Sequence, residues 1–140
     1  MTLYLPQEIL AQIHASGEAA YPEEGAGLLL GKVDGERRRI VSLLELSNQR
    51  ETDARHNRYL LTPQDYLRGE QEAARQGLDV LGVYHSHPDH PNRPSEFDRE
   101  WAMPWFSYII TSVQDGQAVE SRAWVLSEDR SHFEEQEIES

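Results

Sequence analysis

The sequence predicts an α/β domain, a mixed and mostly antiparallel sheet packed with helices, from three observations. Short runs rich in leucine, isoleucine and valine, bounded by glycine, proline or aspartate, recur along the chain and read as strands. Two Asp-Gly pairs, Asp34-Gly35 and Asp115-Gly116, separate such runs where hairpin turns need positive φ. Two other stretches carry helix start signals, at Pro6 and at Thr62-Pro63. At 140 residues the chain is expected to form one domain over 1–140. That length can bury about two-thirds of the unfolded surface.

The elements follow in order. Residues 2–5 form a short strand or lead-in. Pro6 then opens a first helix that keeps Ile9, Leu10 and Ile13 on one face and closes near Gly17. Strands are expected at 25–32 and 38–47, joined by the Asp34-Gly35 turn. Arg37, Arg38 and Arg39 would flank the second of these as a solvated face. Thr62 caps a second helix that begins at Pro63 and runs to about Gln76, with Gly77 ending it. Val80-Leu81-Gly82-Val83-Tyr84 reads as a strand buried on both faces. Further strands are expected at 105–112 and 118–126, and a last one near 132–138. The segment 49–57 and an acidic tail at 134–140 are the least ordered candidates. Tyr84 and Trp105 are assigned to the core.

The chemistry gathers at the end of the 80–84 strand. His85 and His87 extend it, and side chains two apart on a strand share a face with Cα atoms about 6.5–7 Å apart. By that period they continue the face of Leu81 and Val83, while Ser86 points the other way. Pro88 has no N–H for the ladder, so the strand should stop there. After a loop at 89–94, Ser95-x-x-Asp98 has the form of a helix start with Ser95 as N-cap. Phe97 and Trp101, four apart, should pack inward and leave Asp98 beside them, turned toward the strand mouth. Two imidazoles and a carboxylate suit a Zn2+ ion and leave one coordination position for water. Glu24, in Tyr21-Pro22-Glu23-Glu24-Gly25, is a candidate general base.

Each piece also has a plain structural reading. Ser-x-x-Asp is often only a cap, and the chain repeats the pattern at Thr62-Pro63-Gln64-Asp65, where no chemistry is assigned. A His-x-His pair is more often ordinary polarity than a ligand pair, and Glu24 could be one acid among many. His90 is a second candidate ligand, but its place between Asp89 and Pro91 favours solvent. His14, His56 and His132 are expected at the surface.

Taken together, Glu24, His85-Ser86-His87-Pro88, Ser95 and Asp98 resemble the motif of the JAMM (JAB/MPN) zinc metalloprotease family, with ten residues between His87 and Asp98. The resemblance selects Glu24 over Glu23, because Glu24 stands three residues before Gly27 at the start of an apolar strand. Asn48 and the run Arg58-Tyr59-Leu60-Leu61-Thr62-Pro63 are similar to the small bacterial Mec-type members associated with ubiquitin-like sulfur-carrier proteins. Ala26 departs from the many relatives that carry cysteine there, a position that is not a ligand. The resemblance implies a single JAB/MPN-like domain of cytidine-deaminase-like architecture. It also implies one Zn2+ per chain on His85, His87 and Asp98, with Glu24 and Ser95 catalytic. The implied activity is hydrolysis, as peptidase or isopeptidase, of the bond after the C-terminal Gly-Gly of a ubiquitin-like or sulfur-carrier protein. Arg50, Arg55 and Arg58 could line a groove for the extended tail. The alternatives are a protein-binding scaffold without catalysis, or a DNA-repair or phage-tail type of JAMM protein with another substrate.

Composition narrows the field. There is no cysteine, which excludes disulfides, a thiol nucleophile and the thiolate zinc sites of nucleobase deaminases. The run 27–32 is no phosphate loop, since that would need glycine at Ala26 and a hydroxyl at Val33. A net charge of −12 argues against nucleic acid as a partner. No run approaches the ~20 apolar residues that cross a bilayer, and no basic start precedes an apolar core. A cytoplasmic protein without membrane partners is therefore expected.

Overall fold

Residues 2–46 and 62–140 are described by the computed structural model. Eight strands are found there: β1 (Thr2–Tyr4), β2 (Ala26–Asp34), β3 (Arg37–Leu46), β4 (Asp79–Pro88), β5 (Ser107–Gln114), β6 (Gln117–Leu126), β7 (Phe133–Gln136) and β8 (Ile138–Glu139). Three helices accompany them: α1 (Gln7–Ala20), α2 (Pro63–Gln76) and α3 (Glu96–Trp101). The strands form one sheet in the order β7-β6-β5-β4-β2-β3-β1-β8. The hairpins β2–β3 and β5–β6 and the pairs β2–β4 and β6–β7 are antiparallel, whereas β4–β5, β1–β3 and β1–β8 are parallel. No described helix is long and apolar enough to cross a membrane.

Successive strand residues point to opposite faces, so the leucines of β2 serve two cores. Leu29 joins Ile9 and Ile13 of α1, with Leu3, Leu5, Ile40 and Ile109, on one face. Leu28 and Leu30 meet Ala73 of α2, with Val80, Val83 and Phe106, on the other. The central strand β4 lies between β2 and β5 and is covered on both faces, and every residue from Val80 to Pro88 is buried. A strand in that position needs the continuous apolar run seen in the sequence.

Several expectations are revised. Helix α1 does not close at Gly17 but continues to Ala20. Gly17 is buried, and a Cβ there would lie 3.0 Å from Val113 Cγ2 and 3.2 Å from Ser86 Cβ. The glycine lets the helix approach β4; it does not stop the helix. In β4 the register against β2 jumps from Leu29↔Gly82 to Leu30↔Val80, leaving Leu81 as an extra, bulged residue. The bulge moves Leu81 to the α1 face with Tyr84, so His85 and His87 continue the face of Val83 alone.

The acidic segment 134–140 is not a loose tail. β7 pairs with β6, and β8 adds in parallel to β1 with Leu3↔Ile138. Arg37 pairs with Glu139 at 3.1 Å, which places opposite charges across that edge. Arg38 is not solvated like its neighbours; it is half-buried and donates to Ser107 Oγ at 3.0 Å. Tyr84 is buried as expected, but Trp105 is 51% exposed, because β5 begins two residues after it at Ser107. His14 is partly buried, with Nε2 2.9 Å from Ser121 Oγ, while His90 and His132 are exposed. The expected packing of Phe97 and Trp101, and His56, lie outside the described residues.

Candidate metal centre

The site forms where β4 ends, and its neighbours set each side chain. Ala26, the first residue of β2, pairs with His85, which brings the Glu24-Gly25 segment alongside the histidines. Ser86 ties that segment down: its N–H donates to Gly25 O at 3.0 Å, and its hydroxyl accepts from Gly25 N at 2.8 Å. Glu24 is 6% exposed, with Oε1 3.7 Å from His85 Nδ1. The sequence placed Ser86 on the opposite face from the histidines but offered no sign of this second task.

Two histidines at spacing two share a face, as the strand period requires; their ring centroids are 5.0 Å apart. Opposite them stands Asp98, oriented by the start of α3. Asp98 N–H donates to Ser95 Oγ at 3.1 Å, and Ser95 N–H donates to Asp98 Oδ2 at 2.7 Å. This reciprocal cap satisfies two helix-end donors and fixes the carboxylate at the same time. Its oxygens lie 3.6 Å from His85 Nε2 and 3.3 Å from His87 Nε2. One ligand atom from each of His85, His87 and Asp98 falls within 4.8 Å of the others, so the three could hold a metal ion.

The donor set fits a divalent cation on its own chemistry. His87 Nδ1 lies 2.8 Å from Pro91 O, and a carbonyl can only accept, so Nδ1 carries the hydrogen. In the neutral ring Nε2 then presents a lone pair to a carboxylate oxygen. Two electron-rich atoms face each other unless a proton or a metal stands between them. The protonation tendencies say the same. Burial pushes His85 down, but Asp98 and Glu24 outweigh it and raise its pKa above the ordinary 6.5. Burial pushes Asp98 up, yet the charge of His85, the approach of His87 and the hydrogen bond from the Ser95 amide hold it well below the usual carboxylate range. The pocket asks for positive charge.

The 89–94 loop, read in the sequence only as a connection, is braced from Asp89 to Asn92. Asp89 adopts φ 58°, accepts from Tyr21 Oη at 2.7 Å and from Asp115 N at 2.9 Å, and so ties the loop to the end of α1 and to the β5–β6 turn. Asn92, 7% exposed, donates to Glu120 O at 3.2 Å and accepts from Trp124 Nε1 at 3.1 Å. A lone asparagine between two prolines carries no sequence signal for this role. A cleft of about 350 Å3 opens between this loop, Glu24, His87 and Ser95. Arg50, Arg55 and Arg58 lie outside the described residues.

An α/β domain with such a group at the mouth of its central strand is of the JAB type, and known proteins bear this out. The family described as "Prokaryotic homologs of the JAB domain" matches residues 6–127. The chain belongs to that family, the small prokaryotic branch of the JAMM (JAB/MPN) proteins. It is 32% identical over 117 residues to a probable TtuB-protein conjugate cleaving protease of Thermus thermophilus, covering 81% of this chain and 74% of the relative. It is 28% identical over 127 residues to a desampylase of Pyrococcus furiosus, covering 91% and 83%. A protein of Salinibacter ruber with a known solution structure shares 48% identity at a TM-score of 0.78, over 99% of this chain and 90% of that one.

Proposed function

We propose that the chain is a zinc-dependent peptidase or isopeptidase that hydrolyses the bond after the C-terminal Gly-Gly of a ubiquitin-like or sulfur-carrier protein. The observation that carries the reading is the convergence of His85, His87 and Asp98 beside the buried Glu24. The relatives named as a conjugate-cleaving protease and a desampylase support the substrate class. His85, His87 and Asp98 would hold one Zn2+ per chain. When bound, zinc would polarise a carbonyl and lower the pKa of water toward about 7.

The chain's own groups divide the remaining work. Glu24 lines the cleft and is held by the Ser86–Gly25 bonds, so its carboxylate can take a proton from the attacking water and pass it to the leaving amine. Ser95 Oγ accepts from Asp98 N–H, which leaves its own hydrogen to donate to the oxygen that gains charge in the transition state. His87, through Pro91 O, keeps its ring in one orientation. Arg50, Arg55 and Arg58 remain candidates for the substrate tail.

The test is to incubate the protein with a ubiquitin-like sulfur carrier bearing one extra residue after Gly-Gly and to follow the carrier's intact mass, with and without a zinc chelator. Loss of that residue's mass, abolished by chelator and by Glu24→Gln, is expected. A carrier, or a conjugate of it, left intact by zinc-loaded protein would overturn the substrate class, and undiminished turnover by Glu24→Gln would overturn the role of Glu24.

A further inference from the structure

The cleft has two unlike walls. One holds Glu24, His87 and Ser95, whose roles are proposed above; the other comes from the 88–94 loop and presents Pro88, His90, Pro91 and Arg93. The loop's backbone is occupied by anchors, among them Asp89 N to Val113 O at 2.7 Å and Ser112 Oγ to His90 O at 2.7 Å. Asn92, next to Arg93, is buried and bonded to both Glu120 and Trp124. A loop tied in this way displays its side chains without having to be ordered by a ligand.

Arg93 is exposed, and among the described residues it has neither a hydrogen bond nor an ion pair. Arg37, Arg39, Arg75, Arg99 and Arg122 each lie against a carboxylate. The chain is rich in acidic residues, yet among the described residues no carboxylate is placed against Arg93, the guanidinium that lines the cleft. A planar guanidinium in such a place suits bidentate recognition of an incoming carboxylate.

We propose that Arg93, with His90 beside it, binds the free α-carboxylate of the residue that cleavage releases, so that the enzyme favours substrates whose scissile bond is followed by a chain terminus. This rests on the hydrolase reading and names its leaving-group class. When the released residue is the last one, its carboxylate lies two bonds beyond the scissile nitrogen. A lysine side chain or a continuing chain would put methylenes or a neutral amide there. At about 350 Å3 the cleft is at the small end for ligand sites, as a short leaving group requires. In the hydrolysis, oxygen from water joins the carbonyl carbon, the C–N bond breaks and the amine leaves with a proton. Arg93 makes and breaks no bond; it is a binding residue.

Two fluorescent peptides ending in Gly-Gly-Ala, identical except for a free or an amidated C-terminus, would be titrated by anisotropy against zinc-loaded Glu24→Gln protein, which binds without turnover. The acid is expected to bind about 10- to 100-fold more tightly than the amide. Arg93→Ala in the same background should abolish the preference, and Arg93→Lys should keep part of it. Equal affinity for acid and amide would overturn the proposal, as would undetectable binding of both. A preference undiminished in Arg93→Ala would assign the carboxylate to the metal instead and equally overturn it. None of these outcomes depends on turnover, so a failure of carrier hydrolysis would count against the hydrolase reading separately.

Discussion

Thr62-x-x-Asp65 and Ser95-x-x-Asp98 build the same local device with different consequences. Each has a hydroxyl accepting from the aspartate N–H at 3.1 Å, and each aspartate accepts from the cap N–H, at 2.9 Å in the first and 2.7 Å in the second. The first opens the 14-residue α2, which packs Gly69 and Ala73 against the sheet and ends on Gly77 at φ 71°. The second opens the six-residue α3, too short to hold itself and tied instead by Arg130 to the carbonyls of Ala102 and Glu100 at 2.8 and 3.1 Å. Asp98 faces two buried imidazoles, whereas Asp65 belongs to no metal-capable group among the described residues. A capping box fixes a carboxylate in space using only local sequence. The tertiary fold decides whether anything stands opposite to use it.

The largest expected effect breaks the pair at the aspartates. Asp98→Ala should reduce bound zinc from about one per chain toward none, and hydrolysis with it, because the proposed ligand set would fall to two imidazoles. Asp65→Ala should keep its zinc and lose about 0.3–1 kcal/mol of stability through the helix terminus. Metal analysis by mass spectrometry on both variants decides it; full zinc occupancy in Asp98→Ala would remove Asp98 from the ligands.

A sharper contrast comes from the hydroxyls. Thr62→Ala and Ser95→Ala should each cost about 0.5–2 kcal/mol of stability, since each deletes an N-cap acceptor. Only Ser95→Ala should also lower kcat, by about 10²–10³, if the hydroxyl donates to the developing oxyanion. Ser95→Thr should restore most of both. Equal kcat for Ser95→Ala and wild type would leave Ser95 as a cap alone.

The same contrast explains what could be read from the chain. Period-two spacing, the stop at Pro88 and the Ser-x-x-Asp signal are local, and they placed His85, His87 and Asp98 where the structure brings them together. Whatever depended on distant partners was not legible. The bulge at Leu81 follows from how β4 meets β2, and it turns Leu81 away from the histidine face although the sequence pattern is unbroken. Gly17 reads locally as a helix stop and acts as clearance for Ser86. The acidic run at the end reads as a tail until β1, more than a hundred residues earlier, supplies an edge for Ile138.

Ser86 offers a prediction of intermediate size. Ser86→Ala would leave Gly25 N–H without its hydroxyl acceptor and loosen the segment that carries Glu24. Turnover should fall by up to about 10²-fold, as small misplacements of a reacting group do, while zinc content stays at the wild-type level. The second readout separates Ser86 from the ligands. Unchanged kcat would show that Glu24 is placed by other contacts.

The smallest effect is a pH slope in metal-free protein, and its sign follows from the site. Asp98 is held below its ordinary 3.8, so the stability it contributes is present above that value and is lost as pH falls through the folded pKa. His85 is raised above its ordinary 6.5, so its contribution is complete below 6.5 and is lost as pH rises through the raised value. The melting temperature of the metal-free protein should therefore be highest from about pH 4 to about 6.5 and decline on both sides, as far as these two groups set it. Saturating zinc should flatten the alkaline side, because a metal held by His85, His87 and Asp98 would supply the positive charge that the proton supplies in its absence. Thr62→Ala should lower the whole curve without changing its shape, whereas Asp98→Asn should remove the maximum. A metal-free protein whose melting temperature rises steadily from pH 6 to 8 would show that His85 is not protonated against Asp98.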